Sequence, residues 1–567
     1  MTAACTVLIL GGYGTFGGRL AHLLGATAGL RLIIAGRSLD KAMTFCASLP
    51  AGFGHTAARI DRDGDLNAQI AALAPDILVD ASGPFQAYGE QPYRVVQAAL
   101  YLGIHYLDLA DGSDFVAGIR QFDAAARERG IFVLSGVSSF PVLTLAVLRH
   151  LMRGLAQLET VRAGIAPSPY AGVGLNVIRA IASYAGQPLH LTRAGRDARG
   201  HALVETMRYT IAPPARLPLR PVLFSLVDVP DLRAIPEQWP GVKEVWIGAG
   251  PVPEILHRGL NALSRLVRLG LVKSLAPFAK LFHFAINHLR WGEHRGGMFV
   301  AITARTADGG AAARSWHMVA EGDDGPLIPS MAAEALIRRY VDGWPPEPGA
   351  RAATNALELD DYRRLFATRA IHEGTRDDLA PCANSPLYRR ILGEAWSQLP
   401  AALRALHDVG GRSSAEGRAR VTRGTGILSR AIGALFRFPA AGDDVPVSVA
   451  FTVDAGREIW RRNFAGRAFA SVQRAGEGAF RHLLVEQFGP FDFAMALVVE
   501  EGRLNLVLRG WSCLGLRLPL RWAPRGDAYE TVEEGRFRFF VEIAHPLCGL
   551  IVRYQGHLVP SGQTQPS

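Results

Sequence analysis

The chain has 567 residues, 49% of them hydrophobic, and 61 Lys+Arg against 51 Asp+Glu give a net charge of +10. That length exceeds what one hydrophobic core supports, so several domains are expected, and the apolar content excludes a largely disordered chain. Five scattered cysteines (Cys5, Cys46, Cys382, Cys513, Cys548) without a Cys-x-x-Cys pair argue against a disulfide framework and against a zinc site.

The basic balance suits anionic partners, but no zinc-finger spacing or aromatic RNP-like strand points to nucleic acid. No charged n-region with an apolar stretch precedes the first apolar run, so no signal peptide is expected and the expected location is cytoplasmic. The tail from Pro560 to Ser567 is expected to be disordered.

Val7 to Leu10 reads as a strand that runs into Gly11-Gly12-Tyr13-Gly14-Thr15-Phe16-Gly17, with a helix through Arg19 to Leu24. Gly12, Gly14 and Gly17 fit the dinucleotide fingerprint: a tight turn, close backbone approach to a pyrophosphate, and close helix–strand packing. The pyrophosphate would rest on free N–H groups at the helix start.

A second apolar strand, Leu30 to Gly36, ends where an NAD-binding fold offers an acidic residue to the ribose. This chain has Arg37-Ser38 there, with Lys41 close behind. A guanidinium pairs with a 2′-phosphate that a carboxylate would repel, so the expected cofactor is NADP(H). The alternation continues through strands at Thr56–Ile60, Ile77–Ala81, Ile104–Leu109 and Ile131–Ser135. The turn Ser82-Gly83-Pro84-Phe85, followed by Tyr88, closes the fourth of the six. The long uncharged stretch from Gly130 to Leu148 contains Gly136 and Pro141 and is expected to be a buried strand and then a helix, not a membrane span.

This order of motifs resembles the saccharopine dehydrogenase-like family of NADP-binding oxidoreductases. The residues that carry it are 11–17, Ala-Gly-Arg-Ser at 35–38, Ser-Gly-Pro-Phe at 82–85 with Tyr88-Gly89, and His-Tyr-Leu-Asp-Leu at 105–109. The resemblance implies hydride transfer to or from a carbon–nitrogen or related double bond, with the Gly-Pro-Phe turn bordering the nicotinamide. The cofactor-binding set is then Gly12, Tyr13, Gly14, Thr15, Phe16, Gly17, Arg37, Ser38, Lys41, Ser82, Gly83, Pro84 and Phe85, and the catalytic candidates are Asp108 and Tyr88. The family often continues the Tyr-x-Asp strand into Thr-Gly-Glu; here Ala110-Asp111-Gly112-Ser113 follows. Asp108 as a loop cap and Tyr88 as a packed aromatic are the structural alternatives.

The expected fold is α/β. A Rossmann-type doubly wound parallel sheet (1–148) comes first, then an α+β substrate domain (149–370) whose 326–370 part is a candidate to return to the first domain. A C-terminal domain rich in antiparallel β (376–560) follows, after a polar linker at 370–383. In the middle region Asp228-Val229-Pro230-Asp231 and His294-Arg295-Gly296-Gly297-Met298 also resemble bacterial members of the family, and Arg179, His294 and Arg295 are candidate anchors for an anionic substrate.

Between Glu254 and Glu293 there is no acidic residue, and Leu256, Leu260, Leu263, Val267 and Leu271 form an apolar stripe beside Arg258, Arg265 and Arg268. Such a helix, broken near Pro277, either packs its stripe on a sheet or lies on anionic lipid. The substrate is therefore expected to be a small molecule, anionic or lipid-like, with peripheral contact through 255–291 at the inner membrane surface as an alternative. A membrane-surface reductase of a lipid or carrier-linked acyl chain, and a non-catalytic NADP-binding sensor or scaffold, are the competing functions.

The C-terminal part resembles a bacterial domain family without assigned function through Glu458-Ile459-Trp460-Arg461-Arg462, Gly535–Phe539 and Arg553-Tyr554-Gln555-Gly556. A helix is expected over 387–406. Arg423-Gly-Thr-Gly lacks a Walker lysine and is read as a turn. His407, His545 and His557 have no metal-ligand spacing. Trp460 and Trp511 fit either a solid core, the favoured reading, or an apolar pocket.

Overall fold

The computed structural model describes residues 5–378 and 385–561. Cys382, most of the end of the expected linker and nearly all of the expected disordered tail lie outside the described residues, and the four described cysteines are free thiols. The chain divides into two compact units: 1–209 with 222–372, and 210–221 with 373–567.

In the first unit, β1 (Cys5–Leu10), β2 (Leu30–Gly36), β3 (Thr56–Arg59), β4 (Ile77–Asp80), β5 (His105–Asp108) and β6 (Phe132–Ser135) form a parallel sheet. Every residue of β1, β4 and β6 is buried, as a sheet covered on both faces requires. The order is β3-β2-β1-β4-β5-β6, and Gly349–Ala352 adds a seventh strand parallel to β6. The chain thus returns to the first sheet from 214 residues downstream of β6. Helix Ile328–Val341 comes back with it: Ser330 Oγ donates to Phe16 O at 3.1 Å and Arg338 Nη2 to Leu23 O at 3.1 Å, both on α1 (Thr15–Leu24).

The second sheet of this unit runs Thr206–Tyr209, Val222–Leu226, Glu244–Ala249, Gln157–Ala166, Arg295–Arg305, Ala311–Glu321 within the unit, with hairpin Pro188–His201 beside Glu244–Ala249. Where a linker was expected, Ile371–Asp377 is a strand.

The expected basic helix is two helices, Glu254–Arg268 and Ala279–His288, with Pro277 in the first turn leading into the second. The first buries His257, Asn261, Ser264 and Val267, a face rotated away from most of the apolar stripe. Ser225 sets that rotation by bonding His257 Nε2 at 2.7 Å and Asn261 Oδ1 at 3.0 Å. Burial lowers the His257 pKa to about 4, so the imidazole there is neutral. Ile255, Leu269, Leu271, Phe278, Leu281, Phe284, Leu289 and Trp291 are left exposed.

The second unit holds helix Leu387–Leu392, ended at Gly393 (φ +56), a short 3-10 segment and helix Ala401–His407, so the expected 387–406 helix is broken. The rest is an antiparallel sheet of eleven strands. All but Leu516–Leu518 form a ring: Phe491–Glu500, Leu484–Phe488, Arg467–Ala475, Arg457–Phe464, Gly442–Asp454, Arg412–Arg423, Gly549–Pro560, Arg536–His545, Ala528–Glu533, Arg503–Cys513, and back to Phe491–Glu500. The expected antiparallel sheet is therefore a closed barrel, which leaves no free edge in the ring. Arg423-Gly424-Thr425-Gly426 leads from a strand into helix Ile427–Leu435, and a Cβ on Gly424 would come 1.7 Å from Leu550 O.

Candidate active site

The carboxyl ends of β1 and β4 lie side by side where the strand order reverses, the place where ligands bind in open α/β sheets. Gly11 (φ +79) takes a conformation that side chains resist, and a Cβ there would press Ala81 O at 2.7 Å. At Gly17 a Cβ would stand 2.4 Å from Gly11 O, so α1 reaches the strand end only because that position is bare. Gly14 precedes α1, and beyond Gly11 nothing lies within 4 Å of where its Cβ would be. The amides of the first helical turn lack intrahelical acceptors and face this open ground.

Tyr13 reaches across to β2. Its hydroxyl accepts from the Ser38 amide at 3.1 Å, and its ring lies where a Cβ on Gly36 would be, 2.6 Å away. Ser38 caps α2 (Leu39–Cys46) by accepting from the Lys41 amide at 3.4 Å. The side chains of Arg37 and Lys41 are exposed and unpaired among the described residues, two cations beside the end of β2. A bare glycine cradle and two unengaged cations fit an anionic dinucleotide carrying an extra phosphate.

On the opposite side, Gly83-Pro84 is a cis peptide and Gly83 O accepts from Asn176 Nδ2 at 2.8 Å. Asn176 lies at the start of helix Leu175–Tyr184, and a Cβ on the preceding Gly174 would come 2.4 Å from Thr15 Oγ1. Arg19 Nη2 holds this loop by donating to Ala171 O at 2.6 Å. Segment 166–186 therefore closes over both the glycine turn and the 82–85 turn.

The two catalytic candidates sit behind these turns. Asp108 is fully buried, and its Oδ1 accepts from the Ala110 and Gly136 amides at 3.0 and 2.7 Å and from Ser135 Oγ at 3.0 Å. Burial pushes its pKa up to about 7, against the pull of those donors. Tyr88 is buried too: its hydroxyl lies 2.9 Å from Ser82 Oγ and 3.3 Å from each carboxyl oxygen of Asp80, and Arg62 stacks 3.4 Å over its ring. Burial and the Asp80 charge raise the phenol well above its ordinary value. Both residues brace the strand ends.

A group that sequence reasoning did not assemble is less completely enclosed than Asp108 and Tyr88. Asp111 accepts from Gln86 Nε2 at 3.0 Å, next to Phe85, and Ser113 Oγ donates to Asp228 on the second sheet's side. Burial raises both carboxyl pKa values, with Asp228 adding to the rise at Asp111, and burial together with both carboxylates raises Tyr184 well above its usual value. Asp111 marked the departure from Thr-Gly-Glu and Asp228 stood in the Asp-Val-Pro-Asp motif; no local signal joined them.

Of the proposed anchors, Arg295 is held by Glu293 and Glu321, and His294 lies 3.3 Å from Asp323. Arg179 is exposed and touches Asn176 Oδ1 at 3.2 Å.

Residues 7–134 match the family described as saccharopine dehydrogenase NADP binding domain, and residues 399–558 match a domain of unknown function, DUF4166. No curated protein matches the chain. Among solved structures it is similar to apo saccharopine dehydrogenase (L-Glu forming) from Saccharomyces cerevisiae, 13% identical, over 66% of this chain and 99% of that one, TM-score 0.49. It is also similar to a biliverdin reductase from Synechocystis, solved with biliverdin and NADP+, 13% identical, over 64% and 95% of the two chains, TM-score 0.28. Residues 7–134 of the first unit thus carry a saccharopine dehydrogenase-like NADP-binding domain.

Proposed function

We propose that the chain is an NADP-dependent oxidoreductase that reduces, or forms, a carbon–nitrogen double bond in a small substrate held beside the 82–85 turn and helix Leu175–Tyr184. The observation that carries the reading is the carboxyl group set beside the turn: Asp111 accepts from Gln86, Ser113 donates to Asp228, and burial raises both carboxyl pKa values, with the Asp228 charge adding to the rise at Asp111. NADPH, when bound, supplies the hydride. Gly12, Gly14 and Gly17 with the first turn of α1 hold its pyrophosphate, Tyr13 and Ser38 shape the adenosine end, and Arg37 and Lys41 meet the 2′-phosphate. Ser82, Gly83, Pro84 and Phe85 form the wall beside the nicotinamide.

The carboxyls orient the nitrogen of a neutral imine and Asp111 gives it the proton that makes it an iminium, to whose carbon the hydride adds to leave the amine; the reverse direction returns that proton to Asp111. Asp108 and Tyr88 act as positioning residues that fix the strand ends. NADPH oxidation followed with cyclic imines and with oxo acid plus amine, against ketones and enoyl thioesters, tests the reading. Preferential imine turnover is expected, and rapid turnover of enoyl thioesters without imine activity would overturn it.

A second reading, reduction of an acyl or lipid substrate at a membrane surface, is favoured by helices Glu254–Arg268 and Ala279–His288. Their exposed apolar side chains stand among Arg265, Arg268, Lys273, Lys280 and Arg290. No helix among the described residues is long and apolar enough to cross a membrane. Flotation with anionic vesicles, lost in a Leu269→Ser/Phe284→Ser variant, supports this reading; absence of flotation at low salt removes it.

A further inference from the structure

The barrel of the second unit contains a cavity of about 380 Å³ lined by apolar side chains that include Phe436, Phe438, Phe491, Phe493, Leu506 and Trp511. A ring of this many strands is wider than its own side chains fill, and the space is of the size that encloses a small ligand. Trp460 and Trp511 line it, so the aromatic set noted in the sequence surrounds a pocket as well as a core.

The alternation of each strand brings polar groups inward at one level. Arg462 donates to Glu486 at 3.0 Å and to Ser471 Oγ at 2.7 Å, so its charge is already neutralised. Gln473, also on the cavity wall and 1% exposed, donates Nε2 to Glu486 Oε1 at 3.3 Å. Turning its amide over would set two oxygens against each other, so Oε1 points away from Glu486. That oxygen is buried and has no hydrogen-bond partner among the described residues. A buried acceptor without a donor is costly unless a ligand completes it.

Antiparallel register places the connections after Arg423, Phe464, Phe488, Cys513 and His545 at one end of the barrel. Helix Ile427–Leu435 lies there, with Ile432 and the following Phe436 on the cavity and Ser429 Oγ donating to Leu550 O at 2.6 Å. Around this end Ile427, Leu428, Leu435, Leu514, Trp522 and Leu547 are exposed, Ile427 at 89%. Arg430, Arg437, Arg521 and Arg525 are exposed among them without a carboxylate partner among the described residues. Apolar tips set among unneutralised arginines match an anionic bilayer, where the tips enter the acyl region and the arginines meet headgroups.

We propose that the barrel binds one long apolar chain ending in a neutral hydrogen-bond donor, an alcohol or an amide, and draws it from an anionic bilayer on which this end docks. Gln473 Oε1 accepts from the head, and the aromatic wall holds the chain. A carboxylate head finds no free cation at that level, because Arg462 is paired. The proposal is independent of the substrate assigned to the first unit.

The test uses the full-length protein, stripped of bound lipid, titrated calorimetrically with 1-hexadecanol, hexadecanamide and hexadecanoate. One-to-one binding of the alcohol and amide is expected, with hexadecanoate about tenfold weaker or worse. Gln473→Leu weakens the alcohol about tenfold and narrows that preference, while Leu506→Trp fills the cavity and abolishes binding. NADPH binding stays unchanged in both. No binding of any chain, or hexadecanoate binding as tightly as the alcohol, overturns the proposal. The wild-type series decides by itself if Leu506→Trp fails to fold. Vesicles of phosphatidylcholine with phosphatidylglycerol should bind the protein, and Ile427→Ser/Leu547→Ser should reduce chain transfer from them. Transfer that is unchanged in that variant, or equal from neutral vesicles, overturns the bilayer as the source.

Discussion

Replacing Arg37 tests the cofactor site at its most specific contact. Arg37 and Lys41 are the exposed cations beside the end of β2, and neither has a partner to lose. A charge-assisted hydrogen bond from a guanidinium contributes about 1.5–3 kcal/mol, and solvent around an exposed side chain argues for the low end. Arg37→Ala should therefore weaken NADPH about tenfold and leave NADH unchanged, because only the 2′-phosphate distinguishes them. Arg37→Glu adds repulsion of the phosphate and an acceptor for the ribose hydroxyls, so the preference should shrink further or invert. Titration of nicotinamide fluorescence with each nucleotide, at low and moderate salt, reads both constants. Equal affinities in the wild-type protein, or an Arg37→Ala variant that loses NADH and NADPH alike, would refute the reasoning.

Gly17→Ala should abolish measurable NADPH binding and lower the melting temperature of the first unit, because its Cβ meets Gly11 O at 2.4 Å; retained affinity in a fluorescence titration counts against close packing at this turn. Asp231 is fully buried, and burial pushes its carboxyl from 3.8 to about 7. The folded state then holds a proton that the unfolded chain releases, so stability is greatest below 3.8 and falls as pH rises toward 7. Asp231→Asn should flatten that fall by about 1.4 kcal/mol per pH unit, read from denaturant melts at pH 5 and pH 7; an unchanged slope would mean that the carboxyl is ionised when folded. Asp228→Asn removes a charge that helps raise Asp111, so the alkaline limb of the kcat/KM profile for an imine should move to lower pH. A limb that stays in place removes the pair from proton transfer.

The dinucleotide half was legible because its signals are local. Strand, glycine turn, helix and Arg37 lie within 37 residues, and each glycine is required by a contact with a near neighbour in sequence or an adjacent strand. The face buried by helix Glu254–Arg268 was not legible: apolar spacing favoured Leu256 and Leu260, whereas Ser225, distant in the chain, recruits His257 and Asn261. Asp228 comes into electrostatic range of Asp111, and into hydrogen-bond contact with Ser113, only because the second sheet folds beside the first. The barrel's closure was hidden for a related reason. Arg412–Arg423 reads as polar, and its inward positions are the small Ala415, Gly417 and Ala419 with a single larger side chain, Val421, a pattern that marks a strand only once Gly549–Pro560 pairs with it.

The return of Gly349–Ala352 to the first sheet bears on how the protein is made. Until that strand is synthesised, β6 is an open edge of Phe-Val-Leu-Ser, apolar and ready to pair with any other strand. Elongation at roughly 5–20 residues per second leaves this edge uncovered for about 10–40 s after β6 emerges. During that interval the exposed edge of β6 is the part of the nascent sheet most open to mispairing. The same reasoning fixes where the domain can be cut: a fragment ending at β6 carries the whole glycine turn and Arg37 yet keeps the sticky edge, whereas one ending after Ala352 does not.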